Sequence, residues 1–129
     1  MNYGMRDCTR LGICDFSKYL RIINKIPLLS LQEEKIFLLK LKNDKDVLAV
    51  HYLVISHLRY VVKIAKNYLF SGFSLSDLVQ EGTVGLLKSI KRYDLKKNVR
   101  LISFAVYWIK SEIFNYMVKN LSTFKFYSF

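Results

Sequence analysis

Residues 100–120 carry aromatic, basic and small polar side chains at spacings that suit unpaired nucleic-acid bases. If the segment is a helix, about 100° per residue places three aromatic residues on one side, namely Phe104, Tyr107 and Trp108. Beside them lie Lys110, Ser111 and Asn115. Aromatic rings stack on bases and lysines neutralise phosphates, so this side is typical of a surface that binds single-stranded nucleic acid.

The other side of the same predicted helix is aliphatic. Its members are Ile102, Val106, Ile109, Ile113 and Tyr116. One such stripe is sufficient to dock a helix on a neighbour. The alternative is that both apolar sides are buried and that the segment is the central helix of a small bundle. The segment alone leaves both interpretations open.

A second group of polar residues precedes this segment. Asp77, Gln80 and Glu81 stand at i, i+3 and i+4, so in a helix they share one face and form an acidic and amide patch. A solvated helix face is the simplest interpretation of that patch. Gly82 and Gly85 would each cost about 1 kcal/mol inside an exposed helix, so they predict the close approach of a neighbouring helix.

The elements that must position these residues are all predicted to be helices. Pro27 ends the first, Ser30 and Glu33 form a capping box for the second, and Ser74 or Ser76 caps the fourth. The predicted helices cover about residues 15–26, 30–43, 46–70, 74–93 and 101–120, with a polar, basic loop at 94–99. No alternating strand pattern competes, so we predict an all-α fold, a compact bundle of about five helices.

Composition agrees with a basic, single-domain protein. The chain has 129 residues, 52% of them hydrophobic, which suits one modest core. Its formal net charge is +11, and from Gly82 onward nine Lys or Arg stand against two acidic residues, a net of +7. A basic final third is the electrostatic pattern expected of a nucleic-acid-binding surface.

The sequence gives no support for a metal site or a membrane span. Cys8 and Cys14 have no second pair of ligands, and His51 and His57 are six residues apart, hence on different faces of a helix. We therefore predict free thiols and no cofactor. His51, His57 and Arg59 interrupt the longest apolar run, so the sequence predicts a soluble, cytoplasmic protein.

Four consecutive stretches resemble one protein family. They read ISHLRYVVKIAKNY at 55–68, SLSDLVQEGTVGLLKSIKRY at 74–93, DLKKNVR at 94–100 and SFAVYWIKSEI at 103–113. In this order and at this separation they resemble the central domain of bacterial RNA polymerase sigma factors. Including weaker similarity upstream, the resemblance covers about residues 15–120. The stretch 103–113, with Ser56-His-Leu-Arg59, is most similar to the heat-shock (RpoH-type) subfamily.

The resemblance implies a binding protein rather than an enzyme, and it implies core RNA polymerase as a partner. In sigma factors the D-L-x-Q-E-G helix docks on a coiled coil of the largest polymerase subunit. Asp77, Gln80 and Glu81 match that motif. Thr83 and Leu87 stand on the same implied surface, where Asn and Met are commoner.

The resemblance also implies capture of the nontemplate strand of the minus-ten promoter element. Phe104, Tyr107 and Trp108 match the stacking and wedge residues, and Tyr93 matches the wall of a base pocket. The residues implied to hold the backbone are Lys88, Arg92, Lys97, Arg100 and Lys110. Lys110, Ser111 and Phe114 would face the upstream end of the element, and the secondary candidates are His57 and Arg59.

The resemblance ends near Asn120, where family members continue into two further domains. We therefore expect a weakly ordered tail at 1–14, an N-terminal helical segment at 15–50, the central sigma domain at 51–120 and a divergent tail at 121–129. The leading hypothesis is a truncated sigma factor. The alternatives are a decoy that occupies the polymerase without opening promoters and a decayed fragment without function.

Overall fold

The computed structural model describes the backbone of residues 13–128 and the side chains of residues 16–121. Within those bounds it contains five α-helices, two short 3-10 helices and no strand, which confirms the predicted all-α class. The helices are α1 (Ile13–Lys25), α2 (Leu31–Asp44), α3 (Val47–Lys66), α4 (Leu75–Arg92) and α5 (Leu101–Ser128). The expectations for Cys8, Cys14 and the tail at 1–14 lie outside the described side chains.

Three helices begin where their own sequence provides a cap. The Ser30 hydroxyl accepts a hydrogen bond from the Glu33 amide at 3.2 Å, as the capping box predicts. The Ser74 hydroxyl accepts from the Asp77 amide at 3.2 Å, so Ser74 rather than Ser76 begins α4. Asp46 accepts from the amide two residues ahead and begins α3. Local chemistry therefore fixes the start of α2, α3 and α4.

Two helix ends differ from the prediction. Helix α3 stops at Lys66 instead of Phe70, because the next amides bond to carbonyls three residues back and tighten the chain into the 3-10 turn Leu69–Ser71. Helix α5 continues to Ser128, eight residues beyond the predicted end at Asn120. No glycine or proline interrupts residues 121–128, so nothing in the sequence ends the helix earlier.

Helix α3 lies at the centre of the bundle and contacts the other four helices, while α4 and α5 form the most extensive pair. The fully buried side chains of the core include Leu38, Leu53, Val61, Leu78, Leu86, Ile90, Leu101, Ile109 and Ile113. Among the described residues, α3 is also the one helix long and apolar enough to cross a membrane. One such helix is weak evidence for a membrane span, and α3 packs here against the other four helices.

The two glycines of α4 allow helices to approach closely, as predicted. A Cβ atom on Gly85 would lie 2.4 Å from the Trp108 carbonyl oxygen and 2.8 Å from the Ile109 Cα, both on the backbone of α5. A Cβ on Gly82 would lie 2.8 Å from Val61 Cγ1 on α3. Backbone atoms cannot turn aside as a side chain can, so Gly85 sets the distance between α4 and α5.

Candidate functional site

One side of α5 is buried and the other faces solvent, which excludes the alternative of a helix buried all round. The buried row runs at intervals of four through Leu101, Ala105, Ile109, Ile113 and Met117. The predicted stripe was partly wrong: it missed three of these residues, and its members Ile102, Val106 and Tyr116 are only half-buried. The contact at Gly85 determines which row turns inward, and spacing alone could not show it.

The three predicted aromatic residues lie close together but differ in exposure. Phe104 and Trp108 are half-buried, with their rings 6.1 Å apart, and Phe104 also meets the Tyr93 ring edge-on at 6.0 Å. Tyr107 is 75% exposed. Tyr107 is therefore the one of the three whose ring is mostly open to a planar ligand, while Phe104 and Trp108 pack against each other.

The basic residues predicted to bind DNA differ in their contacts. The Arg92 guanidinium, in the last turn of α4, lies over the Trp108 ring at 4.9 Å from its centroid. Lys88 is ion-paired with Glu112. Lys97, Lys110 and Ser111 are exposed. Positive charge therefore lies over Trp108, and exposed lysines stand in the loop before α5 and on α5 itself.

A second surface follows the outer face of α4. Asp77, Gln80 and Leu87 are exposed and Glu81 is half-buried, and Val84 is an exposed apolar residue between them. Burial, followed by the negative charges of Asp77 and Glu81, raises the pKa of Tyr116 on α5. We name Asp77, Gln80, Glu81, Val84 and Leu87 the α4 strip. The Thr83 hydroxyl, predicted to join it, donates to the Val79 carbonyl of its own helix at 2.7 Å.

Comparison with known proteins assigns a family to the part of the chain that carries both surfaces. Residues 53–122 match the Sigma-70 region 2 family. The chain belongs to that family. Region 2 includes most of α3, all of α4 and the first 22 residues of α5.

A named relative extends the similarity beyond region 2. The RNA polymerase sigma-C factor of Myxococcus xanthus is 44% identical over 109 residues, which are 84% of this chain and 37% of that protein. The chain thus spans little more than a third of that relative's length. The predicted sigma-factor family is confirmed, and the heat-shock subfamily stays a prediction.

Tyr93 is buried within the bundle and does not line an exposed base pocket. It is 4% exposed, its hydroxyl donates to the Val99 carbonyl, and its own carbonyl accepts from the Lys42 ammonium of α2. Burial, with the negative charge of Glu34, raises the pKa of Tyr93. The residue therefore holds the loop between α4 and α5 and packs behind Phe104.

His57 and Arg59 lie between region 2 and the helices that precede it. His57 is 3% exposed, and its Nδ1 donates to the Leu53 carbonyl at 2.7 Å. Arg59 donates to the carbonyls of Asn24 and Ile26 at 2.7 and 2.8 Å. The expectation that both stand on a DNA-facing side is corrected here: Arg59 fastens α1 and the following turn to α3, and His57 is buried against Glu34 of α2. Across the described residues, no group of three or more His, Cys, Asp or Glu could hold a metal ion.

Sequence reasoning missed Glu34, which is 1% exposed and connects α2 to the start of α5. Its carboxylate accepts from Arg100 Nε at 3.2 Å and from the Leu101 amide at 3.3 Å. Arg100, predicted to hold phosphate, is therefore engaged within the protein. The available signal was helical spacing, since Leu38 and Leu41 stand four and seven residues after Glu34 and mark its face as the inner one.

Proposed function

We propose that this chain docks on core RNA polymerase through the α4 strip and captures the nontemplate strand of the minus-ten element through α5, in transcription initiation. The observation that carries the proposal is the exposed Tyr107 beside the Phe104–Trp108 pair, in a domain of the region 2 family. The role is binding rather than catalysis, and it belongs in the cytoplasm.

The α4 strip has the composition of a surface that receives another helix. Asp77, Gln80 and Glu81 supply polar and acidic contacts, and Val84 and Leu87 supply exposed apolar area within the same strip. A specific interface usually combines apolar and polar contacts, and the α4 strip has polar residues at one end and apolar residues at the other. A coiled coil of the largest polymerase subunit is the partner that the sigma-factor resemblance implies.

A few contacts are enough to offset the free-energy cost of strand capture. Flipping a base out of the duplex costs a few kcal/mol, and stacking on an aromatic side chain returns about 1–3 kcal/mol per base. Tyr107 offers the exposed ring, and Phe104 and Trp108 are half-buried on the same helix. Lys97 and Lys110 are exposed and can neutralise phosphates, which makes binding salt-dependent.

The upstream end of the element would meet Lys110, Ser111 and Phe114, which share the outer face of α5 with Tyr107. Phe114 is 58% exposed and can contact a thymine methyl group but cannot hydrogen-bond a base. We further propose selection of heat-shock promoters, which rests on the resemblance of residues 103–113 and of Ser56-His-Leu-Arg59 to the heat-shock subfamily.

The docking half is tested by co-elution with core polymerase in gel filtration. Replacing Gln80 and Glu81 with Ala should abolish or strongly weaken co-elution, because both side chains belong to the α4 strip, where Gln80 is exposed and Glu81 is half-buried. Glu33→Ala, an exposed acidic residue on α2, is the matched control. Undiminished co-elution of the double variant, at unchanged helical content, would contradict the assignment. Wild-type co-elution without capture of the nontemplate strand would instead identify a decoy.

A further inference from the structure

Helix α5 begins without a cap of its own. The Arg100 carbonyl accepts hydrogen bonds from the Ser103 and Phe104 amides, at 3.1 and 3.4 Å, so Arg100 is the residue that precedes the first turn. An arginine side chain has donors only and cannot accept from the first amides of a helix. Those amides need an acceptor from elsewhere in the protein.

Glu34 of α2 supplies that acceptor from a distant part of the chain. Its Oε2 atom lies 3.3 Å from the Leu101 amide nitrogen and 3.2 Å from Arg100 Nε. A carboxylate at a helix amino terminus also interacts favourably with the helix dipole. Arg100 further donates to the Leu29 carbonyl at 3.2 Å, so the turn before α2 is tied to the same point.

The second carboxylate oxygen of Glu34 lies beside His57 of α3. Oε1 lies 3.4 Å from His57 Nε2 and has no other partner among the described residues. Because His57 Nδ1 must donate to the Leu53 carbonyl, Nε2 and Oε1 are complementary only when a proton lies between them. Burial would raise the pKa of Glu34, but hydrogen bonds from His57 and Leu101 and the charge of Arg100 outweigh burial and lower it.

We propose that Glu34 is a positioning residue for strand capture, which fixes the first turn of α5 and thereby the direction in which Tyr107 faces. The inference rests on the proposed function. Phe104 and Tyr107 follow Leu101 by one and about two helical turns, so a tilt of the first turn moves both rings. Helix α2 lies outside the residues that match region 2, yet it carries a residue on which that surface depends.

The test compares Glu34→Gln with Glu33→Gln, which removes the same charge from the neighbouring, exposed position. Glu34→Gln keeps the shape of the side chain, so it can be measured even if Glu34→Ala does not fold. Two measurements are made on the full chain: amide hydrogen exchange at Leu101 in the free protein, and binding of a labelled nontemplate minus-ten oligonucleotide with core polymerase present. Affinity for core polymerase is measured alongside.

We expect Glu34→Gln to speed exchange at Leu101 and to weaken oligonucleotide binding about tenfold, the equivalent of one charge-assisted hydrogen bond, with core affinity unchanged. Glu33→Gln should leave all three unchanged. If Glu34→Gln lowers the affinity for core polymerase and for the oligonucleotide together, the loss is a general structural one and the positioning role is overturned. Oligonucleotide binding by Glu34→Gln equal to that of wild type would overturn it as well. If the wild-type complex captures no strand, the proposed function itself fails, whatever the exchange at Leu101 shows.

Discussion

Helices α4 and α5 carry the two proposed binding surfaces, and they reach their positions by different means. Ser74 caps α4 from the position directly before its first turn, and the α4 strip follows from helical spacing. Helix α5 receives its cap from Glu34, 67 residues before Leu101, and its rotation from the backbone contact at Gly85. The docking surface is therefore a local property of the sequence, and the strand-capture surface is a property of the assembled bundle.

The largest expected effect is at the contact that sets the rotation of α5. Gly85→Ala should lower the free energy of unfolding by about 3 kcal/mol, because the added methyl group meets backbone atoms that cannot move aside. Urea unfolding followed by Trp108 fluorescence measures the loss and the environment of the ring together. Val84→Ala, at the neighbouring exposed position, is the control. Equal stability of the two variants would show that α4 and α5 do not pack as described.

Removing the Glu34 side chain should lower the free energy of unfolding somewhat less. Glu34→Ala is expected to lose about 2 kcal/mol near neutral pH, since it leaves the Leu101 amide and the His57 ring without their partner. The pKa of Glu34 is lowered on folding, so its stabilising contribution is present above the ordinary carboxyl pKa and is lost as the pH falls through the folded value.

The difference in unfolding free energy between wild type and Glu34→Ala should therefore narrow on acidification, as urea titrations at a series of pH values would show. Glu33→Ala, its matched control, should differ little from wild type at any pH. A difference that stays constant, or that widens toward acid, would mean that Glu34 does not act as a buried carboxylate.

The local cap of α4 should show a smaller effect. Ser74→Ala should cost about 1 kcal/mol, because the Asp77 amide loses its acceptor, while Ser76→Ala should stay within about 0.5 kcal/mol. Thermal unfolding distinguishes the two. The comparison between the helices predicts that Ser74→Ala leaves amide exchange at Leu101 unchanged, and a marked acceleration there would show that the two helix starts are coupled.

These contrasts explain how much the sequence predicted. The cap at Ser30, the cap of α4 at Ser74 or Ser76, and the shared face of Asp77 and Gln80 depend on residues near one another in the chain, and the sequence predicts them. Gly82 and Gly85 predict the close approach of a helix without showing which helix, and at Gly85 that helix is α5. The buried row of α5, the interior position of Tyr93 and the role of Glu34 depend on contacts between separate helices. Periodicity states that a helix has an apolar side, but it does not fix which neighbouring row turns inward.

Strand discrimination by the polymerase-bound chain tests the central claim most directly. Binding of labelled nontemplate minus-ten oligonucleotide is compared with binding of the complementary strand, for wild type, Tyr107→Ala and Tyr52→Ala, the last being another exposed tyrosine, on α3. We predict a preference for the nontemplate strand that Tyr107→Ala reduces about tenfold, the lower part of the range for one lost stacking contact, and that Tyr52→Ala retains. Equal binding of both strands by wild type, or equal effects of the two tyrosine variants, would contradict the account.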